Sequence, residues 1–164
     1  MPYHMVKTDK GYRRIVASPK PIAIVEHREI KKLIEMDFII ICTGGGIPVI
    51  RKERKFRGVE AVIDKDLASS VLAQEIKADI FVVASDVEGA AIHWGTPDQR
   101  LLRKVRLGDL GRYVQEGHFP AGSMGPKVEA VTQFFQNIRN RAIICHLEDI
   151  EKAIDGNAGT EIVQ

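Results

Sequence analysis

Three short apolar runs constrain this chain most: Phe38-Ile39-Ile40-Ile41-Cys42, Ile80-Phe81-Val82-Val83-Ala84 and Arg141-Ala142-Ile143-Ile144-Cys145. None alternates apolar with polar residues, and all are rich in branched side chains. Strands covered on both faces read this way, so each run is predicted to be a buried strand of a largely parallel sheet. Between the runs, apolar residues recur at helical spacing. Ile30, Leu33 and Ile34 mark a helix over 26–36; Leu67, Val71, Leu72 and Ile76 mark a second. Leu107, Leu110 and Val114 mark a third over 105–116, Val128, Val131, Phe135 and Ile138 a fourth over 126–138, and 148–154 forms a fifth. Strand and helix in alternation predict an α/β fold with a mostly parallel sheet covered by helices. Residues 12–16, 90–94 and 161–163 are expected as further short strands, 59–63 as a strand leading into the second helix, and 51–58 as a solvated hairpin end. Ser18-Pro19-Lys20-Pro21 is an extended linker, because residues before prolines avoid the helical region.

The 164 residues suffice for one domain with a real core. Formal charge is only +2 and no long tract of like charge occurs, so nucleic acid is not expected as a partner. The longest apolar run is too short to cross a bilayer, which argues against a membrane partner. Cys42 and Cys145 both sit in apolar runs and are expected as buried thiols in a reducing compartment; with no signal-peptide layout at residue 1, the cytoplasm is the expected location. His4, His27, His93, His118 and His146 lack ligand spacing, so neither a zinc site nor a cysteine–histidine nucleophile is supported, and no protein-held metal is expected.

Three places carry candidate chemistry. Gly122-Ser123-Met124-Gly125-Pro126-Lys127 runs from a loop into a helix that Pro126 is suited to open, its fixed φ being already helical. Lys127 then falls in the first turn, where an ammonium is poorly placed unless an anion lies beside it. Amide groups of that turn plus one lysine make a phosphate cradle; a surface lysine after an ordinary turn fits the same residues. Asp64-Lys65-Asp66 joins an apolar stretch to a helix, with Asp66 a candidate N-cap. Lysine there can neutralise phosphate while the carboxylate beside it orients lysines; a cap plus two solvated charges is the alternative. Gly44-Gly45-Gly46 follows the first buried run directly, bringing backbone close to a ligand or to a neighbouring helix. It opens into Ile47-Pro48 rather than a helix, so it is no dinucleotide fingerprint, and no GxxxxGK[ST] loop exists. Ser85-Asp86-Val87-Glu88-Gly89 lies just past the second run, where open α/β sheets bind ligands.

Several blocks resemble, in order, the C-terminal half of the carbamate kinases within the amino acid kinase family. They are residues 12–21, Gly44-Gly45-Gly46-Ile47-Pro48-Val49, 58–69 with Asp64-Lys65-Asp66 inside it, Gly117-His118-Phe119, Gly122-Ser123-Met124-Gly125-Pro126-Lys127-Val128-Glu129-Ala130, and Gly159-Thr160. The resemblance implies the three-layer αβα sandwich of that family, truncated at its N-terminal side. Residues 1–21 then become a lead-in belonging to the missing half, and 22–164 the nucleotide-binding lobe. It implies ATP-dependent phosphorylation of carbamate or its reverse from carbamoyl phosphate and ADP, with magnesium accompanying ATP/ADP and a role in arginine metabolism. A non-catalytic nucleotide-binding or assembly module is the competing expectation, and another kinase of the family, acting on acetylglutamate or aspartate, a third. Lys65 and Lys127 match lysines that contact phosphates, and Asp66 matches the aspartate organising them. Asp86, Val87, Gly122, Ser123, Met124 and Gly125 match the nucleotide side, and Gly44, Gly45 and Gly46 the loop facing the acceptor. A homodimer, and an N-terminal half supplied by a separate chain, are the implied protein partners. Two departures stand out: Thr43 replaces the first of four glycines, and Ala91 stands where many members have tyrosine.

Overall fold

The computed structural model describes residues 4–8, 11–44 and 46–164. Gly45, one of the candidate loop residues, lies outside the described residues. The organising element is a four-stranded sheet in the order β5 (Ile80–Ser85), β9 (Arg141–His146), β10 (Thr160–Val163), β8 (Lys104–Arg106). β5 and β9 are parallel, as are β10 and β8, while β9 and β10 run antiparallel. Two helices, α2 (Lys65–Ile76) and α4 (Met124–Ile138), lie on one face of this sheet and α5 (Ile150–Ile154) on the other.

The residues of β5 and β9 explain why both faces are covered. Side chains alternate across a strand, so one set faces each way. Phe81, Val83, Ala142 and Ile144 join the main core with Leu67, Val128, Val131 and Phe134 of the two helices. Ile80, Val82, Ile143 and Cys145 pack instead with Ile150, Ala153 and Ala158. Apolar side chains on both faces leave no polar alternation, which is the pattern of these two runs. The result is an αβα sandwich. Gly159 closes it: with φ +76°, an added Cβ would lie 2.7 Å from the Ile144 carbonyl and 2.8 Å from Cys145 Cβ.

Around this unit come α3 (Leu107–Gln115) and a small hairpin of β6 (Ala91–Ile92) and β7 (Arg100–Leu101). Earlier in the chain are the hairpin β1 (Met5–Thr8) with β2 (Gly11–Arg14), α1 (His27–Glu35), and the hairpin β3 (Val49–Lys52) with β4 (Lys55–Gly58). The turn of the last hairpin has positive φ at both Glu53 and Arg54, the twist two-residue hairpins prefer.

Three expectations are corrected. Residues 38–42 form no strand and are not buried: Ile39 is 95% and Ile41 99% exposed, and Cys42 is exposed with them. A parallel strand exists only where a neighbour completes its ladder, and no described strand does so here. Residues 59–63 likewise hold only a single bridge, Ala17 with Ala61. The third helix starts at Leu107 rather than 105, because Lys104–Arg106 is recruited into the sheet by β10.

Candidate functional site

The candidate site is built where α2 and α4 begin. Three contacts climb the pair in step: Lys127 Nζ to Asp66 Oδ2 at 3.0 Å, the Ser70 hydroxyl to the Ala130 carbonyl at 2.7 Å, and Asn137 Nδ2 to Gln74 Oε1 at 2.7 Å. Partner numbers rise together, so the helices run parallel and their amino ends meet. Short connections, 77–79 into β5 and 139–140 into β9, return the chain into the sheet. The amino ends therefore stand at the carboxyl ends of β5 and β9, where α/β sheets place ligands. Two positive helix ends converging there favour an anion.

Each end is shaped locally. Asp64 caps α2, its Oδ1 accepting from the Asp66 N–H at 2.8 Å and the Leu67 N–H at 3.1 Å. This corrects the expectation that Asp66 is the cap. The apolar repeat begins only at Leu67, which hid the first turn; Asp64, three residues earlier, was the available signal. Freed from capping, Asp66 turns to the lysines. It accepts from Lys65 Nζ at 2.9 Å through Oδ1 and from Lys127 through Oδ2. Its side chain is 13% exposed and that of Lys127 15%, whereas Lys65 is 64% exposed. One carboxylate thus holds two ammonium groups, one sheltered and one reaching out. The hydrogen bond that Lys65 donates to the Asp66 carboxylate holds the Lys65 ammonium above the usual lysine range, outweighing the opposing effect of burial, so it stays cationic at neutral pH.

At α4 the helix starts at Met124, two residues before Pro126, which still lies in the first turn where its missing N–H costs nothing. Gly125 donates its N–H to the Pro120 carbonyl at 2.9 Å, and a Cβ there would sit 3.0 Å from that same oxygen. Ser123 has the N-cap place but its hydroxyl makes no cap bond, and Gly122 and Ser123 are exposed. The Ser123 N–H donates to the same Pro120 carbonyl at 3.2 Å, and Lys127 stands at this end of the helix.

The structure joins Lys65, Asp66 and Lys127 and sets the other candidates around them. Gly44 and Gly46 are exposed, with nothing within 4 Å of an added Cβ among the described residues. The residue before them, Thr43, reaches Ser69 of α2, its Oγ1 3.2 Å from Ser69 Oγ. Asp86 is exposed just past β5 and accepts from the Ser85 hydroxyl at 3.1 Å; it does not touch the lysines. Val87 is half-buried beside it. The loop continues to Gly89 and Ala90, pinned by buried Thr160: its Oγ1 accepts from the Ala90 N–H at 2.9 Å and donates to the Leu102 carbonyl. Ala91 is buried in β6. A surface hollow of about 410 Å³ lies along β8 between Arg100, Lys104, Arg106 and Tyr113, and neither lysine lines it. The described residues hold no group of three His, Cys, Asp or Glu side chains able to enclose a metal ion, and none of their helices is long and apolar enough to cross a membrane.

A model of the amino acid kinase family matches residues 2–146. The carbamate kinase of Pyrococcus furiosus is 49% identical over 162 residues, which cover 97% of this chain and 52% of that protein. A carbamate kinase-like protein of Escherichia coli is 46% identical over 157 residues, 94% of this chain and 50% of that protein. Among solved structures, carbamate kinase from Giardia lamblia bound to AMP-PNP superposes with a TM-score of 0.93 at 41% identity, covering 99% of this chain and 52% of that one. The chain spans about half the length of the curated relatives it matches.

Proposed function

Because the chain belongs to the amino acid kinase family, we propose that it is the nucleotide-binding half of a carbamate kinase, acting in reversible phosphoryl transfer between ATP and carbamate. The observation that carries the proposal is the Lys65–Asp66–Lys127 chain at the joined amino ends of α2 and α4. Phosphoryl transfer asks for alignment and positive charge over the transferring oxygens, with little covalent help from the protein. Lys127, sheltered and fixed, holds nucleotide phosphates, with Gly122, Ser123, Met124 and Gly125 shaping the nucleotide side of the same turn. Lys65, exposed and cationic, meets the transferring group. Asp66 orients both lysines. Asp86 and Val87 line the nucleotide side, and Gly44, Gly45 and Gly46 face the acceptor. In the ATP-forming direction the bond from phosphorus to the carbamate oxygen breaks as one to the ADP β-phosphate oxygen forms. Carbamate leaves as an anion, so no general acid is needed.

Magnesium fits as a companion of the nucleotide. Asp64 is spent on its cap and Asp66 on the lysines, so the ion would ride on the phosphates and draw on water and outer carboxylates, as magnesium commonly does. It would supply charge neutralisation on the phosphate oxygens. Residues 1–21 act in this reading as a lead-in to the other half of the fold. That half, carried on a separate polypeptide, would cover Ile39, Ile41 and Ile47, and the working assembly would be a homodimer of complete units in the cytoplasm, serving arginine metabolism.

The exposed apolar segment also motivates a second reading, a nucleotide-binding or assembly module without catalysis. A steady-state ATP-forming assay with carbamoyl phosphate and ADP, run on the chain alone and with an N-terminal half supplied, separates the two. Turnover that falls by ~10²-fold or more in Lys65→Ala supports the kinase. Micromolar nucleotide affinity with no turnover in either mixture leaves the module and sinks the kinase.

A further inference from the structure

Thr160 is 2% exposed, a polar side chain deep in the sheet. Strand pairing sets it in one row with Val83 and Ile144: Val83 of β5 faces Ile144 of β9, which faces Thr160 of β10. Because β10 opposes β9, its first residue lies toward the carboxyl ends of β5 and β9, where the amino ends of α2 and α4 stand. β5 leaves the sheet at Ser85, and four residues later Gly89 lies against Thr160. A Cβ on Gly89 would stand 2.6 Å from Thr160 Oγ1 and 3.1 Å from the Thr160 nitrogen. β9 separates β5 from β10, so residues 86–89 cross over the end of β9. The Thr160 hydroxyl fixes the far side of that crossing. Its Oγ1 accepts from the Ala90 N–H at 2.9 Å and donates to the Leu102 carbonyl, while the Leu102 N–H donates to the Ala90 carbonyl at 2.8 Å. Ala90 and Leu102, both buried, flank the β6–β7 hairpin. One hydroxyl thus ties both legs of the hairpin, and the end of the crossing loop, to the sheet. Valine has the same shape and would fill the same space; what threonine adds is a donor and an acceptor together.

We propose that Thr160 is a positioning residue: its hydroxyl holds residues 86–89 across the carboxyl end of β9, so that Asp86 and Val87 meet a nucleotide whose phosphates lie at Lys127. The proposal rests on the kinase reading for the nucleotide, and on the geometry alone for the tie. Gly89 belongs to the same device, because only a residue without Cβ lets the loop lie this close to β10. Binding groups carried on a loop keep their place only when a supporting side chain fixes the loop. Without the hydroxyl the loop is fixed on the β5 side alone, and Asp86 and Val87 lose a defined position.

Hydrogen exchange at the Ala90 amide reads the tie directly, since that amide is the donor to Oγ1, and calorimetric titration with ADP reads the position of the loop; both use the full chain. Thr160→Val should speed Ala90 exchange about five-fold or more relative to the amides of β9, the scale of one lost hydrogen bond, and weaken ADP about ten-fold. Thr160→Ser keeps the hydroxyl and should hold both quantities within about two-fold of wild type. Phe81→Leu trims the core at the other end of β5 and serves as the control: it lowers stability and should leave ADP affinity alone. Gly89→Ala reaches the loop from the opposite side, so it carries the test if Thr160→Val fails to fold; its Cβ must push the loop off Oγ1 and weaken ADP likewise. Wild-type ADP affinity in Thr160→Val or Gly89→Ala overturns the positioning role, even where Ala90 exchanges faster. An equal loss of ADP affinity in Phe81→Leu overturns it too, since binding would then follow stability alone. Ala90 exchange that rises no more than that of β9 in Thr160→Val overturns the tie. A wild-type chain that binds no ADP defeats the nucleotide reading itself, and the positioning role with it, whichever way the exchange rates fall.

Discussion

Residues 63–164 and the described residues before them bury their apolar side chains on opposite principles. In the later region Phe134, Ala130, Ala142, Ile143 and Cys145 are fully buried, and among the described residues every buried apolar one except Ile30 lies there. In the earlier region Ile22, Ile39, Ile41 and Ile47 are 86–99% exposed, and Phe38, Phe56 and Val62 more than half exposed. The later region is held by sheet and helix packing. The earlier one is held mainly by polar ties, such as the Lys20–Glu129 ion pair, the Ile24 N–H to Glu75 at 3.2 Å, and the Val62 N–H to the Ala17 carbonyl. Surface ion pairs and single hydrogen bonds contribute little, whereas buried apolar area dominates folding free energy. One region thus stands on its own contacts, and the other carries apolar area seeking cover.

The sharpest way to break this contrast is to cut equivalent side chains on its two sides. Phe134→Ala empties a fully buried position between α4 and β5, where the ring packs 5.3 Å from that of Phe81. It should cost about 3–5 kcal/mol, most of a small domain's stability. Ile41→Ala trims a branched apolar side chain at a 99% exposed position and should cost less than about 0.5 kcal/mol. Denaturant unfolding of both variants checks this. Comparable losses would mean that 38–42 is buried in solution, for instance against a second copy.

The same contrast accounts for what could be read in the sequence. Runs 80–84 and 141–145 announced buried strands, and both are, because Phe81 and Ile144 on one face and Ile143 and Cys145 on the other find partners within this chain. Run 38–42 is just as apolar and is no strand. Composition reports what a segment needs on its flanks, but not whether the chain supplies it. The position of Lys65, Asp66 and Lys127 at helix starts was legible from the apolar spacing that follows them. The cap assignment failed because periodicity locates a helix's apolar stripe and not its first turn, where Asp64 works. The contact between the Thr43 and Ser69 hydroxyls had no sequence signal at all, since it pairs a loop with a helix residue 26 positions away.

Capping and charge pairing at the site give a middle-sized test, confined to the well-packed region. Asp64→Ala removes the cap of α2 and should lower stability by about 1 kcal/mol while leaving ADP affinity close to wild type. Lys127→Ala should do the reverse. Its side chain contributes one sheltered ion pair, so the fold persists, but ADP binding should weaken by about ten-fold or more as a phosphate contact is lost. Paired unfolding and calorimetry on the two variants read both quantities. If Asp64→Ala weakens ADP and Lys127→Ala does not, the assignments of cap and phosphate contact are reversed.

The smallest effect is an alkaline one, and it too belongs to the well-packed region. Burial pushes the Cys145 thiol above its ordinary 9.0, and Asp66 holds Lys65 above its ordinary 10.5. In both cases the folded chain keeps a proton that the unfolded chain gives up, so stability is constant below these ordinary values and falls as pH rises through them. The decline should begin near pH 9, where the unfolded thiol ionises, and steepen beyond pH 10.5, where the unfolded lysine loses its charge. Cys145→Ala lowers stability at every pH by the packing it removes, yet it should abolish the first part of the slope. Lys65→Met should remove only part of the second, and a small part, because an ion pair with a side chain 64% exposed is largely screened. The quantity to follow is the slope of unfolding free energy between pH 8 and 11, not its value. A wild-type slope that survives unchanged in Cys145→Ala would mean that the thiol is reached by water, and that the core between the sheet and α5 opens more readily than its packing suggests.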